Sequence, residues 1–296
     1  MSYKQATEIK KKIAILVTGI GPIYLDYARK MIASLIKTNP DIQKKADIVL
    51  ITEKEFNQLG GTQEHMLYMT PWFTKYLLKD YECVVRIDSD MIITGDISSC
   101  WEGDFDVAVV QNANPRELKS QINMMGQPVA VWRVDPMDYV NCGFVVIKSE
   151  KFVDHWLKFC TPANKMYRMY EQDFLNILVF NGNYKIKFLD GDFDEARLAK
   201  GGYVLNAVPN QAPDKWFNLI SKGYWSEIVI KDKKLILPKN SGSDIDAWPN
   251  DGFDKEILGI HFAGGALAGK FDNLDTQFQP EVVEYLKYLI SNEPKT

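Results

Sequence analysis

Ile13-Ala14-Ile15-Leu16-Val17-Thr18-Gly19 is the stretch whose reading decides the fold. A short continuous apolar run ending at a glycine is the pattern of a strand covered on both faces, as in a parallel sheet. A parallel strand needs a crossover to reach its neighbour, and the chain supplies one at once. Pro22 stands near the start of a helix, Leu25, Ala28, Met31, Ile32, Leu35 and Ile36 recur at helical spacing, and Asn39-Pro40 stops the pattern. Residues 46–52 predict a second buried strand, 72–78 a short helix and 83–87 a third strand. This βαβαβ alternation reads as a Rossmann-like half of an α/β fold.

Working outward, strands are expected at 107–111, 140–148, 184–189 and 257–262. Ser149 can cap a helix over 151–159, and a helix over 170–180 carries Phe174, Leu175, Leu178 and Val179 on one face. Residues 191–255 hold Gly201-Gly202, several prolines and the polar run 239–243, and read as an irregular insertion of the kind that carries specificity. After Pro280, the residues Val282, Val283, Leu286, Leu289 and Ile290 mark an amphipathic C-terminal helix over about 280–290. It is expected to pack on the main body, with a homo-oligomer contact as the alternative. The 296 residues are read as a single domain without internal repeats.

Composition excludes several classes of function. The chain is 46% hydrophobic, enough for a sizeable core, and its 39 acidic against 35 basic residues give a charge of -4, the wrong balance for gripping a nucleic-acid backbone. Cys83, Cys100, Cys142 and Cys160 form no C-x-x-C pair and are expected to be reduced core thiols. Lys10-Lys11-Lys12 before the first apolar run looks like the start of a signal peptide, but Gly19, Gly21 and Pro22 break that run and no small-residue cleavage site follows. No stretch approaches the roughly 20 apolar residues of a transmembrane segment. A cytoplasmic location is the default expectation.

Several pairs of aspartates separated by one residue occur, and context singles out Asp88-Ser89-Asp90. It ends the apolar strand Val84-Val85-Arg86-Ile87 and precedes Met91-Ile92-Ile93. The carboxyl edge of a parallel strand is where open α/β sheets bind ligands, and two carboxylates there can hold a hard divalent cation against a diphosphate. The plainer alternative is a solvated turn. Asp190-Gly191-Asp192-Phe193-Asp194 fails as a calcium loop, because Glu195 and Gly201 stand where Gly and Glu are needed. His65, His155 and His261 are too scattered for a zinc motif. His261, however, closes an apolar strand before Phe262-Ala263-Gly264-Gly265, where it can join the two carboxylates around Mn²⁺ or serve only as a hydrogen-bonded strand end. Gly19-Ile20-Gly21 follows the first strand, but Tyr24 replaces the third glycine of the dinucleotide fingerprint. That loop can admit a base stacked on Tyr24 or be no more than a tight turn.

Four segments thus stand in order: Arg86-Ile87-Asp88-Ser89-Asp90, Asn141-Cys142-Gly143-Phe144, Glu171-Gln172-Asp173-Phe174 and His261-Phe262-Ala263-Gly264. The set resembles the nucleotide-sugar glycosyltransferases of the GT-A fold, most closely the retaining family 8 that includes glycogenin and bacterial lipopolysaccharide galactosyltransferases. The resemblance implies a mixed, mainly parallel sheet flanked by helices. It implies that Asp88 and Asp90 match the D-x-D, with Asp90 as a metal ligand, Asp88 on metal or ribose, and His261 completing the metal site. By the same resemblance Asn141 and Gly143 lie beside the donor sugar, Gln172 near the anomeric carbon, Asp173 on donor-sugar hydroxyls, and Thr18 and Tyr24 around the uridine. Gly264 and Lys270 fall in the diphosphate-binding H-x-x-G-x-x-K region. Two departures stand out: Glu171 replaces the first Asp of the family's D-Q-D, and Lys270 sits further along than that motif places its lysine.

The expected function is transfer of a hexose from a UDP-sugar, with Mn²⁺ or Mg²⁺, to a carbohydrate, lipid-linked or protein acceptor, retaining configuration. Two rivals are weighed. A sugar-nucleotide pyrophosphorylase would need a basic loop after the first strand, and residues 19–24 contain no Arg or Lys. A non-catalytic sugar-binding protein would use Trp72, Trp101, Trp132, Trp216, Trp225 and Trp248 as stacking platforms.

Overall fold

The computed structural model describes residues 11–111, 139–160, 171–189, 203–206, 228–238, 255–262, 271–272, 274–276 and 278–291. The deciding run is β1 (Lys11–Gly19), paired in parallel with β2 (Asp47–Thr52) on one side and β3 (Tyr81–Ile87) on the other. Ala14, Ile15, Leu16 and Val17 are 0% exposed, so the uniform apolar pattern follows from burial on both faces. Between β1 and β2 lies α1 (Pro22–Thr38), with Pro22 at its first turn after Gly21. Gly21 has a φ of 86°, and Gly19 lies so close to the helix that a Cβ there would meet Leu25 Cα at 3.0 Å. The two glycines therefore serve a turn that is tight in both conformation and space.

The central sheet adds β5 (Val107–Gln111), β6 (Val140–Ile147) and β7 (Ile186–Phe188) in the order β2-β1-β3-β6-β5-β7, with β6 antiparallel to both neighbours. This is the mixed, mainly parallel α/β sheet expected. Two short helices, α2 (Ile42–Lys45) and α3 (Glu53–Gln58), flank β2. Spacing did not predict α3. Its signal is the Thr52/Glu55 capping box, in which Thr52 N–H donates to Glu55 Oε2 at 3.0 Å.

Three further helices are α4 (Met69–Leu77), α5 (Glu150–Phe159) and α6 (Glu171–Asn181). Ser149 caps α5, accepting from Phe152 N at 3.2 Å. Buried Phe73, Phe152, Trp156 and Phe174 from these helices form one apolar layer with Val84, Val109 and Val145 of the sheet. Ala28, Met31 and Leu35 of α1 cover the opposite face.

A second sheet contains β4 (Met91–Ile93), β8 (Tyr203–Asn206), β9 (Val229–Lys231), β10 (Lys234–Leu237) and β11 (Lys255–His261). The 191–255 stretch, expected to be irregular, thus supplies three strands. β8 runs parallel to β11, and β9 and β10 form a hairpin closed by Asp232 and Lys233, at φ 52° and 64°. A two-residue turn with both φ positive usually announces itself by Asn-Gly or Asp-Gly, and Asp-Lys gives no such signal.

The C-terminal helix α7 (Pro280–Ile290) packs on the body as expected, with Val282, Val283, Leu286 and Leu289 buried beside the second sheet and α1. Lys37 of α1 holds its C-terminal end, donating to Ser291 O at 2.7 Å, to Ser291 Oγ at 2.9 Å and to Tyr288 O. Leu286 is 0% exposed, so Leu286→Ala is expected to cost about 2–5 kcal/mol of unfolding free energy in denaturant titration. No helix among the described residues is long and apolar enough to cross a membrane.

Candidate active site

The two sheets meet at Asp88-Ser89-Asp90. β3 ends at Ile87 opposite Phe144 of β6, and the ladder runs one step further, with Asp88 N–H donating to Gly143 O at 2.7 Å. After Ser89 the chain enters β4 in the second sheet, antiparallel to β11. There Met91 faces His261, and Phe262 N–H donates to Asp90 O at 3.0 Å. The junction therefore brings Asp88, Asp90 and His261 together through backbone pairing. His261 Nε2 lies 3.4 Å from Asp88 Oδ2 and 3.3 Å from Asp90 Oδ1, and the three potential ligand atoms lie within 4.8 Å of one another.

Gly143 forms the floor of this cluster. A Cβ there would lie 2.5 Å from His261 Cε1, 2.6 Å from Asp88 Oδ2 and 2.7 Å from Asn141 Oδ1, so any side chain would fill the space between these side chains. Asn141 Oδ1 accepts the Gly143 N–H at 2.6 Å, which fixes the strand at this point.

Charge is balanced at the cluster. Burial alone would lower the His261 imidazole, but Asp90 and Asp88 outweigh it and raise it to about 9. Burial would raise the Asp88 carboxyl, yet the Arg86 guanidinium and His261 hold it well below the usual carboxylate range. Arg86, itself buried, bonds Asp88 Oδ1 through Nη2 at 2.5 Å. Two cations thus face two carboxylates.

The third segment reaches the same place through β6. Cys142 N–H donates to Gln172 Oε1 at 3.0 Å, setting Gln172 beside the Asn141–Gly143 stretch. Asp173 is 1% exposed, with Tyr139 OH donating to its Oδ1 at 2.7 Å. Asn176 locks the helix to the strand, accepting from Val140 N at 2.7 Å and donating to Val140 O and Gln172 O, each at 2.8 Å. Glu171 is held by the scaffold. Its carboxylate accepts Thr70 N–H at 3.0 Å and Thr70 Oγ1–H at 2.9 Å, capping the start of α4, while its carbonyl accepts Trp156 Nε1–H at 2.8 Å. This remote cap accounts for α4 beginning at Met69, earlier than spacing predicts. Burial raises the Glu171 carboxyl, and burial likewise pushes the Cys142 thiol well up, so that it stays neutral.

The model of glycosyl transferase family 8 matches residues 2–208 of this sequence. The chain belongs to that family. Comparison with curated protein sequences gives no match. Among solved structures it is similar to galactosyltransferase LgtC in complex with donor and acceptor sugar analogs, at 14% identity and a TM-score of 0.50, over 95% of this chain and 98% of that one. A glycosyltransferase involved in glycosylation of the major capsid of PBCV-1 aligns at 14% identity and a TM-score of 0.48, over 90% and 99%. Mouse xyloside xylosyltransferase 1 aligns at 10% identity and 0.43, over 84% and 97%. At such identities the LgtC likeness speaks for the fold, and the family match makes the chain a glycosyltransferase, setting aside the pyrophosphorylase and silent-binder readings.

In this family 8 glycosyltransferase Thr18 is buried at the end of β1, one residue past the Val17–Ile87 pair, and Tyr24 is 38% exposed in the first turn of α1. Gly264 and Lys270 lie outside the described residues. His65 stacks on Trp72 at 4.1 Å and His155 bonds Tyr184, so neither joins the cluster. Sequence reading assigned no role to Arg86, Thr70, Tyr139 or Asn176. The partners of Thr70, Tyr139 and Asn176 lie on other elements, as with Thr70 and Glu171, 101 positions apart, and no local pattern marks them.

Proposed function

We propose that this family 8 enzyme transfers a hexose from a UDP-sugar to an acceptor hydroxyl in a divalent-metal-dependent reaction that retains anomeric configuration. The observation that carries the reading is the Asp88, Asp90 and His261 cluster. Two carboxylate oxygens and an imidazole nitrogen suit Mn²⁺, and suit Mg²⁺ less because of the imidazole. His261 Nε2 lies 3.3–3.4 Å from the carboxylate oxygens, near the roughly 3 Å between adjacent ligands around an ion with bonds of about 2.1 Å. The side-chain-free floor at Gly143 leaves room between them. Asp88, Asp90 and His261 would hold the cation, which supplies positive charge against the departing diphosphate.

The remaining roles fall to residues joined to this cluster by β6. Gln172, oriented by Cys142, faces the developing sugar cation, and Asp173 binds donor hydroxyls. The bond from Tyr139 draws charge from Asp173 Oδ1 and so favours that role over nucleophilic attack, and with it a front-face reaction in which a donor phosphate oxygen accepts the acceptor's proton. Thr18 and Tyr24 frame the uridine, Gly264 and Lys270 serve the diphosphate, and the 191–255 region forms the acceptor side of the single domain. The test is UDP release from UDP-sugars with an acceptor mixture. Chelator is expected to abolish it and added Mn²⁺ to restore it, whereas release indifferent to chelator would remove metal from the reaction.

A further inference from the structure

Arg86 occupies a place where the fold does not need an arginine. It is 4% exposed, and its ladder partners Leu16 and Val145 are apolar and 0% exposed. Only Nη2 is bonded, to Asp88 Oδ1, while Nε and Nη1 are buried without a hydrogen-bond partner. Unpaired buried donors destabilise, and apolar side chains of similar size often replace a buried ion pair without loss. Packing therefore gives no reason for this residue; the carboxylates around it do, Asp88 in direct contact and Glu171 within electrostatic reach.

Two effects on the cluster follow from the one contact, and both act in the same direction. Arg86 engages Oδ1 and draws its electron density, so Asp88 presents Oδ2 on the side of His261 as its unengaged oxygen and Oδ1 only as a weakened one. Its positive charge also offsets one of the two carboxylate charges of Asp88 and Asp90. A dication approaching alone meets a weaker oxygen ligand and less net negative charge.

We propose that Arg86 is a positioning residue that weakens the Asp88–Asp90–His261 site for a bare divalent cation, so that the cation is taken up together with the diphosphate of the donor. The inference rests on the metal-dependent reading above and adds how the site selects a cation–diphosphate pair over the free ion. The diphosphate supplies the oxygens and negative charge that Arg86 withholds.

Arg86→Met keeps the side-chain length and removes the charge, and Arg86→Lys keeps a cationic donor for Oδ1. The experiment titrates free Mn²⁺ by electron paramagnetic resonance against wild type and both variants, with and without UDP, at one pH. Wild type is expected to bind Mn²⁺ alone at least tenfold more weakly than with UDP. Arg86→Met is expected to bind Mn²⁺ alone at least tenfold more tightly than wild type does, and Arg86→Lys to stay within threefold of wild type. A gain in affinity cannot come from a misfolded variant, nor from a residue that only fills space. Unchanged or weaker Mn²⁺ binding by Arg86→Met, beside a wild type that responds to Mn²⁺ with UDP, overturns the inference alone. A wild type with no Mn²⁺ response under either condition overturns the metal reading and the inference with it.

Discussion

Asp90→Ala is expected to abolish the Mn²⁺-dependent part of UDP binding. The junction itself should survive the substitution, because Asp90 holds β11 through its main-chain carbonyl, which accepts Phe262 N–H at 3.0 Å. What disappears is Oδ1, 3.3 Å from His261 Nε2, and one of two negative charges. The other, on Asp88, is already paired with Arg86, so with His261 neutral, as ligation requires, the wild-type cluster offers one net negative charge to a dication and the variant none. At an effective dielectric of 20, a pair of unit charges 4 Å apart is worth about 4 kcal/mol, roughly a thousandfold in affinity. Calorimetric titration of UDP with Mn²⁺ and with chelator checks this. A folded variant whose UDP affinity still rises with Mn²⁺ would move the cation site away from the D-x-D.

How legible the site was depends on where each signal resides. The strand over 107–111 and the helix over 280–290 were read with the bounds the structure shows, because continuous apolar runs and 3.6-residue spacing are local consequences of burial. Asp88 and Asp90 were conspicuous for ending such a run. His261, 171 positions beyond Asp90, stands out locally only as the end of an apolar strand, and choosing between a ligand and a plain strand end takes the family resemblance, since no local pattern pairs β4 with β11. Arg86 was invisible for the opposite reason. It interrupts an apolar strand without altering its period, and its partner is two residues away, just past the strand's end, where alternation reads only as shared facing. Glu171 looked like a conservative departure from the family pattern. Its extra methylene is spent on Thr70, which makes this position part of the scaffold that seats α4 against α6.

Gln172→Ala is expected to lower kcat about a hundredfold while leaving the donor KM within threefold. Gln172 Oε1 accepts one hydrogen bond, from Cys142 N–H, and an amide oxygen has a second lone pair to turn toward positive charge. On the proposed reading that charge is small in the bound donor and large as the bond to UDP breaks, so a contact from Gln172 would be worth more in the transition state than in the ground state and would appear in kcat. Removing one preorganised dipole of this kind typically costs 10²–10³-fold. The substitution also leaves Cys142 N–H without its acceptor, at about 1–3 kcal/mol, so rates should be measured well below the variant's melting temperature. Gln172→Glu keeps an acceptor for Cys142 and separates the two effects. If stability returns to near wild type while kcat also recovers beyond the Ala value, the oxygen at this position acts on the sugar cation. Recovery of stability with kcat still at the Ala level would instead limit Gln172 to holding α6 on β6, and an effect confined to KM would assign it to donor binding.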